Sequence, residues 1–178
     1  MSRRDDVVQR VLAIRGWPAV RDAALLAVRV GLAWLFIYHG GGTLFGAFHG
    51  YGIHRMAEFF AVTAGLRPGT FFAVLNGITE FFGGIALGVG ALSRLAAIGI
   101  FCDMVMAMIT VTWRNGIVSS AAGSGYELNV ALAALAVVII LMGAGRLSLD
   151  YLAGTWLAKR SPSARGAKTT ALPASPSP

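Results

Sequence analysis

Four stretches of the chain are apolar over about the length of a bilayer-crossing helix, and polar or charged residues bracket each of them. They run over about 22–44, 70–92, 95–113 and 126–145, each near the roughly 20 residues that a hydrocarbon core about 30 Å thick requires. The second is rich in glycine, which membrane helices tolerate because neighbouring helices pack on the bare backbone. The pattern predicts an all-α fold, an integral membrane four-helix bundle over residues 22–152.

The flanks read differently. Within 1–21, Val7, Val8, Val11, Leu12 and Ile14 recur at helical spacing among Arg3, Arg4, Asp5, Asp6, Arg10 and Arg15, which predicts a short interfacial helix. Charges interrupt any apolar core before residue 23, so a signal peptide is not expected. Trp17 suits a membrane-surface anchor, and Pro18 suits the first position of the next helix. The loop 45–69 carries Phe45, Phe48, Tyr51, Phe59 and Phe60 with His49 and His54, and is expected to hold a short helix on the outer surface. Residues 153–178 form a tail, and from Ser161 its Ser, Pro, Ala and Lys composition predicts disorder.

Composition and charge fix the class and orientation. The 178 residues are 56% hydrophobic and 13% charged, against about 25% charged in soluble domains. The net charge of +7 comes from residues that flank apolar segments, which fits positive-inside anchoring and not a nucleic-acid groove. Eleven of the fifteen Lys and Arg residues fall in the N-terminal tail, the loop at Arg94 and the C-terminal segment, and three (Arg55, Arg67, Arg114) on the opposite side. The richer side is the expected cytoplasmic one, which places both termini in the cytoplasm. Cys102 is the only cysteine, so an internal disulfide is excluded, and it reads as a small packing residue within an apolar run.

Polar residues inside the spans carry the candidate chemistry, because a charge at mid-bilayer costs at least a few kcal/mol and needs a partner. At about 1.5 Å per residue, Arg29 and Asp103 lie roughly 10–12 Å from the cytoplasmic ends of their helices, and Glu80 roughly 15 Å from either face. The three are therefore expected to meet. One arginine does not neutralise two carboxylates, so one carboxyl, by depth Glu80, is expected to carry a proton. Asn76 lies one turn from Glu80 on the same face. The triad reads either as a clamp joining three helices or as a proton-handling site. Nearer the outer face lie Tyr38, His39, Arg114, Tyr126, Glu127 and Asn129. His39 is the most useful chemically, since histidine titrates near neutral pH. His39, His49 and His54 lack familiar ligand spacing, and no metal is expected. Met104, Met106 and Met108 read as packing residues. No phosphate-binding glycine motif follows a strand.

Several of these pieces occur together in one known pattern. RVGLAWLFIYHGGGTLFG (29–46), GITEFFGGIALGVGALSRLAA (77–97) and GYELNVALAALAVVIILMGAGRLSLD (125–150) resemble the DoxX family of four-helix bacterial membrane proteins. Arg29, His39-Gly40, Leu44-Phe45-Gly46, Glu80 with Gly83-Gly84, Ser93-Arg94, Gly125-Tyr126-Glu127 and Gly145 to Asp150 carry the likeness. Thr43 departs from it, since the family often has a lysine there. The resemblance implies a link to quinone-coupled thiosulfate oxidation or to membrane complexes handling thiol and oxidative stress.

Two readings follow. In one, the chain is a membrane subunit of a quinone-linked redox complex, with His39 and Glu80 as proton partners of a bound quinone. Arg29, Asp103, Asn76, Glu127 and Asn129 would then shape the site, and Gly40–Gly42 and Gly83–Gly84 leave room for a flat ring. In the other it is a non-catalytic scaffold or assembly factor. Besides the lipid bilayer, the expected partners are a redox protein and a second copy of the chain.

Overall fold

The computed structural model describes residues 18–120 and 123–160, and every described element longer than a bridge is helical. The expected N-terminal interfacial helix and the disordered tail lie outside these residues. Helix α1 spans Pro18–Phe45, α2 Gly52–Val62, α3 Gly69–Val89, α4 Ser93–Ala107, α5 Glu127–Met142 and α6 Leu149–Arg160. Beyond Ala107, Met108–Thr112 wind as a π-helix and Trp113–Asn115 as a 3₁₀ turn. Gly69–Val89 and Ser93–Asn115 are each long and apolar enough to cross a membrane, while Glu127–Met142 is apolar but shorter.

The long helices alternate in direction. The start of α1, the end of α3, the start of α4 and the end of α5 all meet at one end, joined by hydrogen bonds that Arg29 donates and Asp150 accepts. Helix α1 packs chiefly on α3, and α4 on α5 and α3. Leu32, Phe36, Leu87, Ala97, Ile100, Ala136 and Ile139 form the buried centre. Many larger apolar side chains face outward instead, among them Trp34 at 78% exposed and Leu95 at 66%. Water would not tolerate a surface of that kind, but lipid does.

Glycine sets the α1–α3 approach. A Cβ at Gly40 would run into the backbone of Phe81, and one at Gly84 would come within 2.9 Å of the Ile37 amide nitrogen. These small residues are filled by the neighbouring helix. The room expected beside His39 and beyond Glu80 is therefore absent at Gly40 and Gly84.

Boundaries moved where glycine turns the chain. The span expected to reach 92 stops at Val89, because Gly90 adopts φ +73°. The one expected to reach 145 stops at Met142, followed by Gly143 and Gly145, both at φ +76°. The helix expected in the 45–69 loop is α2. Helix α6 was not foreseen, since 153–178 was read as a tail.

Candidate functional site

Arg29 is 1% exposed, and its guanidinium is held at the end of the bundle. Its Nε donates to the Leu87 carbonyl at 2.8 Å and its Nη2 to Gly88 at 2.9 Å. Nη1 donates to Ala144 at 2.9 Å and to Leu147 at 2.8 Å. Carbonyls at a helix C-terminus lack intrahelical donors, so a cation with a planar fork of N–H groups satisfies both them and the helix dipole. Side chains lean towards the N-terminus of their own helix, which aims Arg29 at this end and away from Glu80.

Around Arg29 the chain ties a knot. Asp150 accepts from the amides of Leu92 at 2.7 Å and Ser93 at 2.9 Å, capping α4 from another element. That contact holds Leu92 at φ 49°, an uncommon conformation for a branched residue. Burial pushes the Asp150 carboxyl up, but the Ser93 and Leu92 hydrogen bonds and the Arg29 cation outweigh it and hold it below the ordinary aspartate range. Asp22 accepts from the Arg146 amide at 3.1 Å and lies 3.9 Å from its Nε. A Cβ at Gly90 would strike the Arg29 guanidinium and Ser148. Arg29, Ser93 and Gly145 to Asp150, separate in sequence, are thus parts of one structural device.

The expected three-residue charge cluster does not form. Asn76 and Asp103 do come together, but Arg29 bonds elsewhere. The Asn76 Nδ2 donates to Asp103 Oδ1 at 2.9 Å, and Glu80 is buried one turn along the same helix from Asn76. Asp103 Oδ2 is buried and has no hydrogen-bond partner among the described residues. A buried polar atom left unsatisfied is costly and calls for an explanation.

Beside it lies a cavity of about 280 Å³ between α3 and α4. Phe60, Phe72, Leu75 and Met106 wall it, and Asn76 and Asp103 line its polar corner. Leu75 and Met106 are exposed on the flank of the bundle, so the cavity opens sideways. Cys102 also lines it and is exposed, which corrects its reading as a packed residue.

His39 faces a different space. With Tyr38, Thr43, His49, Tyr51 and Met56 it lines a cavity of about 270 Å³ at the α1–α2 turn. Tyr38 stacks on Phe48 with ring centres 5.1 Å apart and donates to its carbonyl at 3.0 Å. Glu80 lines neither cavity, so the structure does not place His39 and Glu80 on one ligand. Asn129 instead accepts from the buried Thr112 hydroxyl at 3.2 Å, and its Nδ2 reaches Met104 Sδ at 3.8 Å. Glu127 accepts from the Ser119 amide at 3.4 Å. Both tie α5 to the α4–α5 connection and lie outside either cavity. Among the described residues, no group of three or more His, Cys, Asp or Glu side chains is placed to hold a metal ion.

Sequence reasoning missed the Asp150 and Asp22 contacts, although the stretch from Gly145 to Asp150 already stood out. It missed the side cavity because its walls are ordinary apolar residues. No curated protein and no solved structure matches the chain. The family model DoxX matches residues 24–113, just over half of the chain, which covers Arg29, His39, Asn76, Glu80 and Asp103. The protein is a member of the DoxX family, and so an integral membrane protein.

Proposed function

We propose that the chain is a four-span protein of the bacterial cytoplasmic membrane, both ends inside, serving as the membrane subunit of a quinone-linked redox complex. The observation that carries this reading is the side-opening cavity lined by Asp103, whose buried Oδ2 has no hydrogen-bond partner among the described residues. Its apolar walls suit a flat ring and a hydrophobic tail arriving through lipid, and ligand sites of this kind pair such walls with few polar groups. Asp103 Oδ2 has a vacancy for one hydroxyl donor, which a reduced ring offers. The residues therefore fit the group.

A quinone supplies the two-electron chemistry when bound. Asp103 would accept the hydrogen bond of a ring hydroxyl and, as general base, its proton. Asn76 holds the opposite oxygen of Asp103, and the buried Glu80, one turn from Asn76, offers a second place for a proton. Loss of the hydroxyl protons goes with oxidation of the ring, whose two electrons would leave to a partner protein. His39 is left outside this site.

Protein extracted in mild detergent with its native partners should carry quinone, and Asp103→Asn should lower its content while the bundle stays folded. If wild-type protein neither retains nor reduces quinone, the scaffold reading replaces this one.

A further inference from the structure

The clamp end of the bundle carries a third cavity, open and polar, of about 470 Å³. Arg21 on α1, Met142 at the end of α5, Arg146 and Ser148 in the following turn, and Asp150 and Tyr151 at the start of α6 line it. Its two acidic neighbours are already engaged. Asp150 is turned to the amides of Leu92 and Ser93, and Asp22 to the Arg146 backbone. Arg146 keeps only a loose 3.9 Å contact with Asp22, its side chain 59% exposed, and no bond is made by the exposed Arg21 among the described residues. Two guanidiniums with free donors thus face one cavity, a pairing suited to phosphate oxygens.

The cavity also sits on a boundary. Leu141 and Met142 beside it are 72% and 52% exposed, continuing the apolar flank of the bundle. On its other side α6 has no buried residue and presents Tyr151, Leu152, Trp156 and Leu157 with Lys159 and Arg160. Arg160 lies 3.6 Å over the Trp156 ring. Aromatic and basic residues on an otherwise unpacked helix fit the headgroup layer.

We infer that this cavity binds the phosphate of an anionic phospholipid, its acyl chains lying along Leu141 and Met142 and α6 resting in the headgroup layer beside it. Basic pockets at the cytoplasmic edge of membrane bundles have the chemistry for such headgroups. The inference needs only that the bundle lies in a bilayer and is independent of the quinone reading.

The test reconstitutes the full chain in nanodiscs of pure phosphatidylcholine, or of equimolar phosphatidylcholine and phosphatidylglycerol. Lipid retained after extraction is read by native mass spectrometry, and thermal stability in each disc is measured. Wild type should retain phosphatidylglycerol in preference and melt higher in the mixed discs. Arg21→Gln with Arg146→Gln should lower that retention roughly tenfold or more. The second change keeps the Arg146 amide bond to Asp22, and Arg21→Gln alone, at an unbonded side chain, guards against misfolding and should give part of the loss. Inorganic phosphate added to phosphatidylcholine discs should not raise the melting temperature. Equal retention of both lipids, unchanged retention in the double variant, or a phosphate effect matching that of the lipid would each overturn the inference.

Discussion

At the scale of single residues, Arg29 and Glu80 are both buried ionisable groups with opposite uses. Arg29 serves four carbonyls from two segments, so its removal strands acceptors that have no water to turn to. Arg29→Ala should cost about 3–5 kcal/mol and lower folded yield severely. Glu80→Gln keeps a neutral hydrogen-bonding group and should fold almost as well as wild type. Thermal unfolding in detergent separates them, and equal stability of the two variants would refute the clamp. Asp150 adds a pH signature. A carboxyl held below its ordinary value in the folded state stabilises the protein fully above the unfolded value, and that stability is lost as pH falls through the lower folded one. Wild type should therefore lose stability relative to Asp150→Asn only at acid pH, below the ordinary aspartate range near 3.9. A difference between them that stays constant into strong acid would contradict the cap.

At the scale of elements, helix ends and helix contacts depend on glycine in ways that can be separated. Gly40 meets the Phe81 backbone, whereas nothing lies within 4 Å of a Cβ at Gly31 on the same helix. Gly40→Ala should force α1 and α3 apart and cost more than about 2 kcal/mol. Gly31→Ala should be neutral or gain up to about 1 kcal/mol in helix propensity. Melting temperatures of the two proteins check this pair. The apolar runs made the long helices legible in the sequence, and Pro18 marked the start of α1 as expected. Their ends were less legible, since a glycine reads alike as a packing residue inside a span and as a left-handed stop. Helix α6 escaped notice because it is held by Asp150 reaching back to residues 92 and 93, a contact no local pattern announces. For the same reason Arg29 was expected beside the carboxylates. Depth along a helix was readable, but the lean of a long side chain towards the helix start carries its charge about two turns away.

At the scale of the molecule, the alternation of α1, α3, α4 and α5 gathers Arg21, Arg29, Arg94, Arg146, Lys159 and Arg160 at one end. That asymmetry is the physical basis for placing this end in the cytoplasm. Cysteines introduced at 48–66 and 116–120 should react with an impermeant maleimide in intact cells, while those at 153–160 should not. Labelling of α6 from outside would reverse the orientation. The same arrangement leaves Asn76, Glu80 and Asp103 between the ends, with Asn76 and Asp103 lining a cavity that opens on the apolar flank of the bundle.

The most direct test of the quinone site is equilibrium binding of a short-chain quinol analogue to purified protein in detergent, compared between wild type, Asn76→Leu and Asp103→Asn. Saturable binding by wild type, weakened roughly tenfold or more by either substitution through the loss of a buried hydrogen-bond partner and untouched by His39→Ala, is the predicted result. No saturable binding, or binding that is abolished by His39→Ala and indifferent to Asp103, would contradict it.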